Sequence, residues 1–149
     1  MRSAWLVVAL ALAIPGCAGC GYGVGPVEAT AYIDAGFDEN KTTYRERLTA
    51  EGFAVDEEYY GSLHGVRGDE HVWVRVAYGN ASTEVRLHTR LHHDQFPDDE
   101  AGYREAQAYG EGQARLAQPK AQATLDALAQ AVARPSPTLP TMQASISIC

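Results

Sequence analysis

The sequence predicts an α+β two-layer sandwich: a three-stranded antiparallel sheet with helices on one face, in the order α-β-β-β-α. Three observations predict it. The segments "FAVDEEYYGSLHG", "HVWVRVAY" and "STEVRLHTRLH" alternate apolar and polar residues, the period of a strand with one buried face. Stretches with helical spacing lie on either side of them, at residues 38–51 and 101–134. Only one face of the sheet is apolar, so the helices must cover that face while the other meets water.

The first helix is expected from Asp38 to Glu51. Thr43-Tyr44-Arg45-Glu46 has the form of a capping box, Tyr44 and Leu48 share a face, and Gly52 suits the left-handed residue that ends a helix. In the first strand Phe53, Val55, Tyr59 and Leu63 fall on one side. In the second, Val72, Val74, Val76 and Tyr78 oppose His71, Trp73, Arg75 and Ala77. In the third, Thr83, Val85, Leu87, Thr89 and Leu91 point inward, and Glu84, Arg86, His88, Arg90 and His92 outward. Gly79-Asn80 tolerates the positive φ of a tight hairpin between the last two strands. Pro97 and the acids Asp98, Asp99 and Glu100 suit a helix start, where the dipole favours negative charge. The helix from Ala101 carries Gly102, Gly110 and Gly112, and Pro119 reads as the start of a new segment or a kink. Ala121, Leu125, Leu128 and Val132 then form an apolar stripe. The tail alternates from Met142 to Ile148, which leans towards an edge strand.

Four regions follow: a leader at 1–16, a Gly-rich flexible tether at 17–30, the domain at 31–134 and a Pro-rich tail at 135–149. The leader has Arg2 followed by an unbroken apolar run from Ala4 to Ile14. That run is shorter than the ~20 residues of a bilayer-spanning helix and fits the core of a secretory signal. Ile14-Pro15-Gly16-Cys17 resembles a bacterial lipobox, with Cys17-Ala18-Gly19-Cys20 as the competing box. The resemblance covers residues 1–17. It implies diacylglyceryl on Cys17 (alternatively Cys20), cleavage before that cysteine and anchoring by several acyl chains, since one alone holds only weakly. Ala18, where inner-membrane lipoproteins carry aspartate, implies the outer membrane of a Gram-negative envelope.

The chain holds 12 basic and 19 acidic residues, a formal charge of −7. That balance argues against nucleic acid, which needs a basic footprint. It also means that lipid, not the protein surface, must hold the domain at a membrane. If Cys17 carries lipid, Cys20 and Cys149 remain as a candidate disulfide, since an exported chain meets an oxidising compartment.

The open sheet face is the candidate binding surface. The hairpin register sets Arg75 opposite Glu84, Trp73 opposite Arg86 and His71 opposite His88, and Arg90 extends the row. Trp73, Arg75, Arg86, His88 and Arg90 make a basic, aromatic face on an acidic chain, fit for an acidic ligand or an envelope protein. Arg86 over the Trp73 ring would form a cation–π contact. Against this, Asp56, Glu58 and Tyr60 on the neighbouring strand are expected to neutralise the arginines in ordinary cross-strand pairs. On a strand, His88 and His92 sit ~13 Å apart, too far to share an ion. A metal would need His71 with His88, or His92, His93 and Asp94 together, and none is expected. Ser62 and Ser82 lie in no nucleophile motif, and the Arg67-Gly68-Asp69 tripeptide recurs by chance. The sequence therefore reads as a membrane-tethered lipoprotein with a non-catalytic binding or assembly-support domain and no cofactor. The alternative is a small envelope enzyme or metal-handling protein that uses the histidine-bearing strand.

Overall fold

The strict alternation of residues 71–89 builds the centre of the sheet. The computed structural model describes residues 20–79 and 81–148. Its elements are β1 (Tyr22–Ile33), α1 (Phe37–Ala50), β2 (Ala54–Glu57), β3 (Leu63–Arg67), β4 (Glu70–Val76), β5 (Thr83–Thr89), α2 (Glu100–Ala131) and β6 (Gln143–Ile148). The strands form one six-stranded sheet in the order β2-β3-β4-β5-β1-β6, antiparallel at every pairing.

This corrects the expected three-stranded sheet. Most of the stretch read as a flexible tether is β1, which lies between β5 and β6. The segment read as one strand from Phe53 is two, folded back through a short turn at Tyr59–Gly61. Tyr60 and Gly61 both take positive φ there, and Tyr59 is exposed at the tip instead of inside. Tyr78, also expected inward, is fully exposed beside the β4–β5 turn. The alternating tail does form a strand, β6, on the outer edge of β1.

The helices run close to the expected limits, for partly different reasons. Gly36 is the N-cap of α1 and contributes no side-chain cap, so the predicted capping box at Thr43 lies inside the helix. Gly52 has φ +91° beyond its end, as expected of a left-handed terminator. The second helix is a single unit with Pro119 in its interior. Asp99 caps it by accepting a hydrogen bond from the Gly102 amide, 2.6 Å away. The glycines that weaken its helical propensity admit close neighbours. A Cβ on Gly102 would lie 1.9 Å from the Pro97 carbonyl oxygen, and one on Gly110 would lie 3.0 Å from the Ala144 Cβ of β6.

Both helices bury one face of the sheet. Tyr44 and Leu48 of α1 and Leu125 and Leu128 of α2 pack with Val27, Ile33, Val72, Val74 and Val85 in a single core. Each such aliphatic side chain contributes ~1.5–3 kcal/mol on burial. The polar atoms inside are partnered: Tyr44 Oη donates to Thr83 Oγ1 at 3.1 Å, and Thr83 Oγ1 donates to the Ala35 carbonyl at 2.7 Å. Burial pushes the Tyr44 phenol above its ordinary pKa, against the lowering pull of the Thr83 bond. The Pro-rich stretch after α2 is fixed by two glutamines. Gln118 accepts from the Met142 amide at 2.7 Å, and Gln122 accepts from the Leu139 amide at 2.8 Å. Both also donate to carbonyls of residues 137–140.

Candidate functional site

The opposite face of β3, β4 and β5 is open, and alternation decides what it displays. Because Val72, Val74, Val85 and Leu87 point into the core, His71, Trp73, Arg75, Glu84, Arg86 and His88 must point outward. The observed register pairs His71 with His88, Trp73 with Arg86 and Arg75 with Glu84, as the sequence predicts. β3 adds His64 opposite Trp73, and β1 adds Glu28 opposite His88.

Four rings meet there. The His64 ring stacks on Trp73 at 4.5 Å between centroids, nearly parallel. His71 lies 5.2 Å from His64 and 5.4 Å from His88. The Arg86 guanidinium sits 5.5 Å from the Trp73 ring centre, the predicted cation–π contact. His64 Nε2 and His71 Nδ1 are 3.0 Å apart, and a Glu58 carboxylate oxygen lies 3.1 Å from His64 Nδ1.

The neutralising acids are Glu84, the register neighbour of Arg75, and Glu28 of β1, and not Asp56, Glu58 or Tyr60 of the neighbouring strand. Arg75 pairs with Glu84 at 2.6 Å and Arg86 with Glu28 at 2.7 Å. Of the predicted partners, Glu58 pairs with His64 instead, and Asp56 joins no ion pair among the described residues. Tyr60 is almost wholly exposed at its turn. Arg90 remains exposed and without an ion pair among the described residues, its backbone amide donating to the Asp69 carbonyl at 2.8 Å.

Burial, more than any charge, lowers the pKa of His71 and His88. For His71 the charges of His64 and Arg90 add to this lowering and Asp69 opposes it. For His88 the charges of His71, Arg86 and Arg90 add to it and Glu28 opposes it. Both shifts favour the neutral ring. His88 Nδ1 is buried without a hydrogen-bond partner among the described residues, its nearest acid being Glu28 at 3.8 Å.

The other sequence-level candidates are dispersed. His92 pairs with Asp69 at 2.6 Å, while His93 stacks on Phe96, so the strand-end trio does not converge. Arg67 of the Arg67-Gly68-Asp69 tripeptide is engaged by Glu70 and the Glu51 carbonyl. No three ligating side chains gather as a metal site among the described residues. Sequence reasoning counted His64 among the candidate metal histidines without placing it on this face, and it missed Glu28. Their signal was positional: His64 precedes the Gly65-Val66 pair of a strand, and Glu28 opens the alternating run Val27-Glu28-Ala29-Thr30-Ala31-Tyr32-Ile33.

A second concavity, about 740 Å³ in volume, lies between α2 and β6 and is lined by Tyr103, Gly110, Ala114, Met142 and Ile146. No helix among the described residues is long and apolar enough to cross a membrane. The leader, Cys17 and Cys149 lie outside the described residues, whereas Cys20 is disulfide-bonded. Comparison of the chain with protein families, curated proteins and solved structures yields no match.

Proposed function

We propose that this chain is an envelope lipoprotein whose domain is a non-catalytic binding module, and that the open sheet face takes an acidic partner. One observation carries the reading. The face that the helices leave bare concentrates Trp73, three imidazoles and the cations Arg75, Arg86 and Arg90. Arg86 is held by an exposed ion pair with Glu28, which contributes only ~0–1 kcal/mol, while Arg75 is exposed above the largely buried Glu84. A phosphate- or carboxylate-bearing ligand can take the place of Glu28 at small cost, with the exposed Arg75 and Arg90 able to join.

The lipid anchor rests on the Ile14-Pro15-Gly16-Cys17 resemblance and is supported by cysteine chemistry. A sulfur engaged in a disulfide cannot also carry a thioether-linked lipid, which disfavours Cys20 as the acceptor. Cys149 is the proposed partner of Cys20, because β1 and β6 pair from Tyr22 opposite Ile148. With β1 starting at Tyr22, the domain would stand directly at the membrane.

After removal of the leader, Trp73 is the only tryptophan of the chain, so its emission reports on this face. Titration with inorganic polyphosphate or polyglutamate is expected to shift that emission saturably. Arg75→Glu, Arg86→Glu and Arg90→Glu together should remove the response and leave the thermal midpoint within a few degrees of the parent. An unchanged response in the triple variant would place binding elsewhere. Labelled palmitate should enter the chain and be lost in Cys17→Ser but kept in Cys20→Ser.

A further inference from the structure

We propose that His64 and His71 form a cross-strand site for one divalent first-row transition-metal ion. The inference needs neither the lipid anchor nor a macromolecular partner on the face. The β3–β4 register sets His64 opposite Trp73 and His71 opposite Val66, which makes the two histidines diagonal neighbours on the open side. Their facing nitrogens, Nε2 of His64 and Nδ1 of His71, are 3.0 Å apart. Two imidazole lone pairs at that distance repel, so something positive must lie between them, either a hydrogen or a metal ion. The Glu58 carboxylate, 3.1 Å from the other nitrogen of His64, favours a hydrogen on Nδ1 and so turns the lone pair of Nε2 towards His71. A carboxylate behind a ligating histidine is the common outer-shell device that fixes tautomer and raises ligand basicity.

The spacing suits a metal. Bonds of ~2.0–2.1 Å from an ion to two imidazole nitrogens, at about a right angle, hold those nitrogens ~3 Å apart. Each lone pair must swing by ~40° from the line between the two nitrogens to meet at one ion, a movement that the soft χ2 torsion of histidine allows. Right-angled nitrogen ligands favour Cu²⁺ and Ni²⁺, and imidazole also suits Zn²⁺ but not Mg²⁺. Since no third protein ligand converges among the described residues, the remaining positions go to water or a small exogenous ligand. Around the pair, Glu28, Glu58 and Asp69 offset the charges of Arg86 and Arg90.

Calorimetric titration of the full chain at pH 7.5 with the chlorides of Cu²⁺, Ni²⁺, Zn²⁺ and Mg²⁺ tests this. One Cu²⁺ per chain is expected, with weaker Ni²⁺ and Zn²⁺ binding, no Mg²⁺ binding and a metal-dependent rise in thermal midpoint. His64→Ala and His71→Ala should each weaken binding by more than tenfold. Glu58→Gln should weaken it about tenfold. His92→Ala with His93→Ala should change nothing, and circular dichroism would show that each variant is folded. Saturable one-to-one binding that survives in the His64→Ala/His71→Ala double variant, or its absence from the parent chain, would overturn the proposal. Neither result would touch the polyanion titration, which reads the arginines.

Discussion

The two faces of the sheet are built from alternate residues of the same strands, yet they answer to different physics. The covered face is valine, leucine, isoleucine and alanine, closed over by Tyr44, Leu48, Leu125 and Leu128. Its few polar atoms are satisfied in the Tyr44–Thr83–Ala35 chain. The open face is rings and surface ion pairs, with one imidazole nitrogen left buried and unpartnered among the described residues. The hydrophobic core of the sheet thus lies on one side, and the polar, aromatic face that we propose for recognition lies on the other.

Substitutions on the two faces should differ in their cost. Leu125→Ala, from a fully buried position, should cost about 2–5 kcal/mol in denaturant unfolding. Glu28→Gln, which removes the exposed ion pair with Arg86, should cost less than ~1 kcal/mol. Equal costs would mean that the open face also holds the fold together.

A smaller effect sharpens the contrast through pH. Burial lowers the pKa of His71 and His88 in the folded protein. As pH falls below the ordinary histidine value of ~6.5, the unfolded chain takes up protons that these two rings resist. Stability from this source is thus present above that value and is lost as pH falls towards the lowered folded values. The thermal midpoint should drop between pH 7.5 and 5.5, and His71→Gln with His88→Gln should flatten that drop. A double variant with the parent's slope would assign the pH dependence to other groups.

How much of this was legible in the sequence depends on the residue pattern of each region. The paired residues of the β4–β5 hairpin were legible, down to Arg75 opposite Glu84, because valine and leucine alternate there; its turn was not, since Ala77 is buried and Tyr78 exposed, the reverse of the alternation. β1 was not, because Gly21, Gly23 and Gly25 mask its start and Ala29 and Ala31 are weak apolar markers. Losing β1 also lost Glu28, so the neutralisation of Arg86 was assigned to the wrong edge of the sheet. The fold-back between β2 and β3 was hidden because Tyr59 and Tyr60 read as strand formers, although Tyr60 sits at φ 65°. Pro119 and the glycines of α2 suggested interruptions. Packing against β6 and the Pro97 carbonyl overrides that local preference, because only a residue without a side chain fits at Gly102.

The account stands or falls on whether the bare face meets a partner in the cell that makes this chain. Tyr32 lies on that face, opposite Glu84, and is 55% exposed, while Leu116 is 67% exposed on α2. Benzoylphenylalanine placed at Tyr32 and irradiated in intact cells should yield a discrete cross-linked adduct, and the same group at Leu116 should yield none. An adduct at Leu116 with none at Tyr32 would contradict the assignment of recognition to the open sheet.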